Sequence, residues 1–270
     1  MPTDEKLTAK AAATVVADTD LTYLVQDVST TPVSKKLAWS LIKSTLKTYF
    51  DTLYQALVGA LGTDLWVTSS ATWTYVSATT FTVPTDLTAV FKVGTRIKLT
   101  QTTDKFFYVA SSAYGAPNTT VTVTGGADFT IANAAITAAY YSYGNPPDFP
   151  YWFNHTPGTR TGYSLAAGTE VIRFAMDSSK VILAANLTAV TSTATTFAAS
   201  LPLTAKTVTN QNWGGANGYA TDNGAALTTA TRWVITSAGT DITFYKDMAS
   251  AAWTGSSTKG VRVVAMYEAA

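Results

Sequence analysis

Short alternating runs of β-branched and aromatic residues, separated by turn residues, constrain the fold of this chain more than any other feature. Apolar and polar residues alternate strictly in Arg96–Thr100, and residues 119–124 (TTVTVT) alternate in a similar way before the turn dipeptide Gly125-Gly126. Alternation with a period of two places one side of a strand in a core and the other side at a surface. Turn residues recur about every ten positions, a spacing typical of small barrels and sandwiches. The sequence therefore predicts a mainly β protein.

The charge content supports this prediction and excludes several classes of function. Charged residues make up 13% of the chain and hydrophobic residues 47%, and the net charge is +1. Soluble domains carry about 25% charged residues, so the polar surface here consists largely of threonine and other uncharged side chains, which suit sheets and subunit interfaces. Without a basic run we expect no nucleic-acid binding. Without an apolar run of spanning length we expect no membrane insertion.

Two residue types that commonly hold metals are scarce. The chain has no cysteine and one histidine, His155, which argues against disulfides and against zinc sites. No carboxylate or second histidine is near His155 in sequence, so we interpret it as a packing residue. The sequence Asp222-Asn223-Gly224 lacks the spaced acidic series of a calcium loop. We predict that the protein uses no cofactor and no metal.

The strongest helical pattern follows a predicted N-terminal hairpin formed by residues 21–25 and 33–37. Apolar residues then recur at spacings of three and four between Leu37 and Leu57, with Gly59 and Gly62 as stop signals. A helix of about 20 residues cannot bury such a stripe by itself, so it packs either on its own domain or on copies of itself. For the second case, the predicted interface consists of Leu41, Leu46, Tyr49, Phe50, Leu53 and Leu57.

The pattern along the chain predicts three parts joined by one linker. Residues 1–62 form an attachment segment that contains the helix, and residues 63–145 form a central β barrel or sandwich. Residues 146–157 contain several prolines and read as a linker. Residues 158–270 form a C-terminal sandwich, with strands predicted at 171–176, 181–187, 197–202, 232–236, 241–245 and 261–267.

A segment rich in glycine and asparagine, residues 210–224, is predicted to be a long loop, and long loops often carry function. It combines aromatic rings with polar side chains, the residue types that contact sugars. Alternatively, Trp213 anchors the loop against its own domain or a neighbouring subunit. The candidate receptor-binding residues are Asn212, Trp213, Asn217, Tyr219 and Asp222.

Three stretches resemble proteins of tailed-phage particles. Residues 18–54 resemble a segment near the start of tail-fibre and head-fibre proteins, and residues 73–141 resemble a β module that follows it. The pattern of residues 195–202, Asp222-Asn223-Gly224, 253–256 and 259–267 resembles a jelly-roll-like fibre tip. The resemblance implies a homotrimer that attaches to other virion proteins by its N-terminal region and points its C-terminal domain outward.

The distribution of carboxylates argues against catalysis. Glycan-cleaving tailspikes use paired carboxylates, but the glutamates are Glu5, Glu170 and Glu268, and the aspartates of the C-terminal part show no pairing in their spacing. No repeat of a β-helix is evident. We therefore do not expect an enzyme, and a glycan-degrading tailspike is the least favoured interpretation.

The resulting interpretation is a structural protein on the surface of a phage particle, made in the host cytoplasm without a recognisable export signal. Its C-terminal domain would bind a glycan or protein of the host surface, and three weak sites per trimer would give avidity. The alternative from another class is a decoration, baseplate or connector component that binds no ligand. A head position and a tail position are not distinguished by these patterns.

Overall fold

The computed structural model describes residues 21–26, 33–61 and 64–270, and the chain divides into two compact units, 1–63 and 64–270. In the first unit, strands β1 (Leu21–Gln26) and β2 (Val33–Ala38) pair antiparallel, and helix α1 (Trp39–Leu61) follows. The predicted hairpin and helix are thus confirmed. The helix begins later than predicted because the two residues before Trp39 still pair with β1.

The helix continues past Gly59, a predicted stop, and ends before Gly62, which lies outside the described residues, as do residues 1–20 of the predicted attachment segment. Among the residues that the structure describes, no helix is long and apolar enough to cross a membrane.

The first sheet of the second unit has seven antiparallel strands in the order β3-β9-β6-β7-β8-β5-β4. Their bounds are β3 (Val67–Thr68), β4 (Thr74–Ser77), β5 (Thr80–Pro84), β6 (Arg96–Thr100), β7 (Asp104–Gly115), β8 (Asn118–Thr124) and β9 (Ala138–Ser142). Residues 132–143, which the sequence left open between helix and strand, contain β9. Within the described part of the chain this sheet does not close into a barrel.

Twelve further strands build the rest of the unit. Their bounds are β10 (Phe153–His155), β11 (Arg160–Thr161), β12 (Tyr163–Ser164), β13 (Thr169–Asp177), β14 (Lys180–Ser192), β15 (Ala198–Ser200), β16 (Trp213–Asn217), β17 (Tyr219–Asp222), β18 (Ala225–Ala226), β19 (Thr231–Ile235), β20 (Asp241–Tyr245) and β21 (Thr258–Glu268). One antiparallel sheet follows the order β10-β13-β14-β21-β17-β18, with β12 paired to β14, and a second follows β11-β15-β20-β19-β16.

These two sheets share one core. On β13, β14 and β21, inward residues alternate with outward ones over most of each strand, and the inward set includes Phe174, Leu183 and Tyr267. Those side chains belong to the same buried cluster as two residues of the other sheet region: Phe244, on β20, and Phe197, which directly precedes β15. The predicted C-terminal sandwich and its six predicted strands are therefore confirmed, and the protein is mainly β.

Residues 146–157, predicted as a linker, are packed by aromatic side chains. Phe149 and Phe153 are buried, and β10 pairs with β13. The Phe153 ring lies 5.3 Å from the ring of Tyr108 on β7 and 5.9 Å from that of Phe174 on β13. Such ring packing stabilises a core beyond its buried area. Through these rings the seven-stranded β3–β9 sheet and the sandwich belong to one compact unit.

Candidate functional site

The predicted loop at residues 210–224 is in fact two strands, and this prediction was wrong. Strand β16 pairs with β19 in one sheet, whereas β17 pairs with β21 in the other. The glycines misled the prediction because they read as turn residues. In β16, a Cβ on Gly215 would lie 3.0 Å from the indole of Trp233, its partner across the strands. The missing side chain therefore makes room for a buried ring, as glycine does in other strands where another group approaches closely.

The five candidate receptor residues are not brought together as one site. The Asn212 Oδ1 atom accepts a hydrogen bond from the backbone N–H of Ser237 at 3.1 Å, beside the turn between β19 and β20. Trp213 is half-buried, with its ring 6.5 Å from that of Tyr267. Tyr219 is exposed on β17, and the side chain of Asn217 lies outside the described part of the structure.

Asp222 is buried and engaged with its own fold. Its carboxylate lies 2.7 Å from the Lys246 Nζ atom and accepts hydrogen bonds from the backbone N–H and the hydroxyl of Thr254. Burial alone would raise the pKa of this carboxyl, but the hydrogen bonds from Lys246 and Thr254 outweigh it and lower the pKa. These contacts hold the Asp222 carboxylate in its charged form inside the fold. Because its oxygens are already bonded to Lys246 and Thr254, it has little capacity to contact a ligand.

The second unit carries an open groove on the outward face of β13, β14 and β21. Its volume is about 650 Å³, and its walls come from these strands and from the crossing between β16 and β17. The floor is apolar and exposed: Val171 is 50% accessible and Val264 67%, and Ala184 also lines it.

Two arginines border this floor, and each lies over an aromatic ring. The Arg173 guanidinium carbon is 5.8 Å from the centre of the Trp152 ring, and that of Arg262 is 5.1 Å from the centre of the Tyr219 ring. Stacking holds a guanidinium in place while its N–H donors stay free for another partner. Within the described residues, neither guanidinium group forms an ion pair or a hydrogen bond.

A smaller concavity of about 350 Å³ continues along β21. Met266 and Glu268 of β21 line it together with Lys180 and Trp213. Since Val264 and Met266 are successive outward residues of one strand, the two concavities adjoin. Trp213 and Tyr219 are thus the two predicted residues that lie beside this surface.

Sequence reasoning missed the arginines and the floor because β21 is apolar on both faces. Residues 261–266 read VRVVAM, in which Val261, Val263 and Ala265 are buried while Val264 and Met266 are exposed. The alternation of residues along β21 was visible in the sequence, but it did not show which of the two apolar faces packs against the core. Within these six residues, only Arg262 carries a charge that indicates the outward face.

A second polar cluster is buried and internally satisfied. The Glu170 carboxylate accepts hydrogen bonds from the Arg160 guanidinium, the closest at 2.6 Å, and from the Tyr163 hydroxyl. Burial, followed by the hydrogen bond to Glu170, raises the pKa of Tyr163. The nearby His155 Nε2 atom lies 2.8 Å from the carbonyl oxygen of Ser200, and burial lowers the His155 pKa. These contacts engage the Glu170 carboxylate, the Tyr163 hydroxyl and the His155 Nε2 atom with groups of the same fold.

In the described part of the chain, no three histidine, aspartate or glutamate side chains gather into a group that could hold a metal ion.

Comparison with known proteins gives no relatives: no family model, no curated protein and no solved structure matches this chain.

Proposed function

We propose that the chain is a fibre-like structural protein on the surface of a tailed-phage particle. It associates as a homotrimer through α1, attaches to other virion proteins by its N-terminal region and contacts the host surface with residues 158–270. The resemblance of three stretches to phage fibre proteins suggests this function. The low charge and mainly β architecture are in keeping with it.

The observation that carries the proposal is the apolar stripe on α1. Leu41, Leu46, Tyr49 and Phe50 are 54%, 47%, 59% and 49% exposed. The side chains of Leu53 and Leu57, which the sequence places in the same stripe, lie outside those that the structure describes. A helix with such a stripe is stable in water when other helices cover it. Three copies around a threefold axis would bury the stripe and align three host-binding domains.

Adsorption to bacteria tests the proposal. We expect the full chain, labelled with a fluorophore, to bind cells of some strains in a panel and to saturate. Phe50→Glu places charge in the proposed interface and should weaken adsorption about a hundredfold, because three linked sites give avidity that one site lacks. Ser40→Glu is the matched control, since Ser40 is an exposed residue of the same helix that does not belong to the predicted apolar stripe.

Equal adsorption by wild type and Phe50→Glu would contradict the proposed trimeric binding. Failure to adsorb to any strain would favour the alternative, a decoration, baseplate or connector component that binds no ligand. Release of reducing sugar from bacterial polysaccharide would favour the third interpretation, a glycan-degrading tailspike.

A further inference from the structure

The groove on β13, β14 and β21 is positively charged and has no matching anion among the described residues of these strands. Their carboxylates are Glu170, Asp177 and Glu268. Glu170 is held inside by Arg160 and Tyr163, and Glu268 pairs with Lys206 at 2.6 Å. Asp177 occupies the far end of β13 beside the turn to β14. Outside these strands, the Asp128 carboxylate accepts hydrogen bonds from the backbone N–H and the side-chain amide of Asn154, the cross-strand partner of Arg173. Among the described residues, neither Arg173 nor Arg262 forms an ion pair with a carboxylate.

Strand register sets the separation of the two arginines. Arg173 pairs with Ala184, which pairs with Val264 on β21, whereas Arg262 pairs with Asn186. The two Cα atoms are thus two strands and two residues apart, a distance of about 12 Å for standard sheet geometry. This spacing suits successive units of an extended ligand better than one small anion.

Between the arginines lies a surface suited to sugar rings. The apolar floor of Val171, Ala184 and Val264 can pack against the C–H face of a pyranose. The exposed Asn186 amide, whose oxygen accepts a hydrogen bond from the Thr188 hydroxyl, can donate its N–H groups to sugar hydroxyls. An arginine fork binds a planar carboxylate through two parallel hydrogen bonds. A uronic-acid unit presents both features, an apolar ring face and a carboxylate.

We infer that this groove binds an acidic glycan, a chain of sugars that carry carboxylates, through Arg173 and Arg262. The inference rests on the proposed function, because it names the host-surface ligand of the C-terminal part. A second copy of the same face is a poorer occupant, since it would bring unpaired arginines against each other. A polyol phosphate is also poorer, because it lacks the pyranose face that the apolar floor accommodates.

Titration calorimetry on the full chain tests the inference with defined probes. Oligogalacturonate, oligomannuronate and oligosialic acid are the acidic glycans, maltooligosaccharide is the neutral control, glycerol phosphate oligomers supply phosphate, and oligoglutamate supplies carboxylates on a peptide. We expect at least one acidic glycan to bind. The neutral glycan should bind about tenfold more weakly or worse, the equivalent of one lost charge-assisted pair. The phosphate and peptide probes should also bind more weakly, because they lack the pyranose face that the apolar floor accommodates.

Variants of single residues locate the site. Arg173→Gln and Arg262→Gln should each weaken acidic-glycan binding about tenfold, the effect of losing one charge-assisted pair at an exposed position. Lys92→Gln removes the same charge from an exposed lysine outside the lining of the groove and should leave binding unchanged. Val264→Glu places a carboxylate on the floor and should abolish binding, whereas Val264→Gln, of the same shape as the glutamate, should retain most of it.

Several results would overturn the inference. The inference is wrong if no acidic glycan binds, or if Lys92→Gln weakens binding as much as the arginine variants do. It is also wrong if oligoglutamate or the glycerol phosphate oligomers bind as tightly as the acidic glycans. A changed oligomeric mass for Val264→Glu would mean that a second copy of the chain covers this face. Failure of the glycan probes while wild type and Arg262→Gln adsorb equally to cells would reject this groove yet leave the proposed function standing.

Discussion

The ammonium group of Lys259 lies in the protein interior, where it donates hydrogen bonds to the carbonyl oxygens of Ala194 (2.6 Å) and Thr196 (2.7 Å). It also lies 5.2 Å from the centre of the Phe197 ring. Burial lowers its pKa to about 8, and the nearby Asp222, itself paired with Lys246, partly opposes this shift. A lysine in this position is held by its hydrogen bonds while burial disfavours its charge.

The lowered pKa of Lys259 predicts a rise in stability with pH. Below pH 8 the lysine is protonated in both states. Between pH 8 and its unfolded pKa of 10.5, the unfolded chain holds the proton that the folded chain has released, so the free energy of unfolding increases. Other groups act in the opposite direction near and above their ordinary pKa values of 10.0 for tyrosine and 10.5 for lysine, because their pKa values are raised in the fold. These groups are Tyr108, Tyr143, Tyr163, Tyr267 and Lys98. Urea unfolding between pH 8 and about 9.5 therefore isolates the lysine.

Lys259→Met should flatten this rise, and Lys92→Met, at an exposed lysine, should keep it. A rise of the same slope in the Lys259→Met protein would assign the effect to other groups.

Removing the charge of the buried Glu170 carboxylate should lower the free energy of unfolding at neutral pH. Glu170→Gln keeps the shape but removes the charge that accepts the Arg160 and Tyr163 hydrogen bonds. We expect the free energy of unfolding to fall by about 2 kcal/mol, the value typical of hydrogen bonds to charged groups. Urea denaturation measures it, with Asp177→Asn on the exposed end of β13 as the control. Equal stability of the two variants would show that the cluster is not structural.

Individual residues also show which features of the candidate site the sequence alone could not predict. Trp213 and Tyr219 were predicted as receptor contacts from residue type, and this stays a prediction. Trp213 lines the smaller concavity along β21, and the Tyr219 ring lies beside Arg262 of the groove. Asp222 was predicted by the same logic, yet it is buried with Lys246 and Thr254, residues distant in sequence. Whether a polar side chain points inward depends on the register of its strand, which residue type alone does not determine.

At the scale of the elements, β16 depends on glycine for its place in the sheet. Gly215→Val would press a branched side chain against the Trp233 indole, 3.0 Å from the Cβ position. We expect a loss of about 2 kcal/mol, in the range for overpacking. Gly218→Ala meets nothing within 4 Å and should cost little. Thermal or urea unfolding compares the two, and an unperturbed Gly215→Val protein would contradict the close packing of β16 against Trp233.

Strand patterns with one apolar and one polar face were predicted well because alternation specifies both type and orientation. The strand Arg96–Thr100 belongs to this group. The six C-terminal strands were also predicted, but on β21, which is apolar on both faces, the sequence did not specify which face is buried. Strand β16 was missed because glycine and asparagine are poor strand formers in isolation. Strand β17 was missed because it lies between Gly218 and the turn residues Asn223-Gly224, which made the whole segment read as a loop. Pairing with β19 and β21 outweighs that local preference.

At the scale of the whole molecule, composition and spacing predicted a mainly β protein with a sandwich, and this is confirmed. The packing of residues 146–157 was not predicted, because its prolines suggest a linker, whereas Phe149 and Phe153 lie among the rings of two sheets. The groove requires three strands and their register, which no local pattern specifies. The proposed trimer depends on the exposed stripe of α1, which the sequence already indicated.

Light scattering coupled to size-exclusion chromatography tests the proposed trimer most directly. The full chain should elute with three times the mass of one chain, and Ser40→Glu should do the same. Phe50→Glu, which places a charge in the stripe that is 49% exposed at this position, should elute with the mass of one chain. A wild-type chain that remains monomeric at micromolar concentration would contradict both the trimer and the mode of host binding proposed from it.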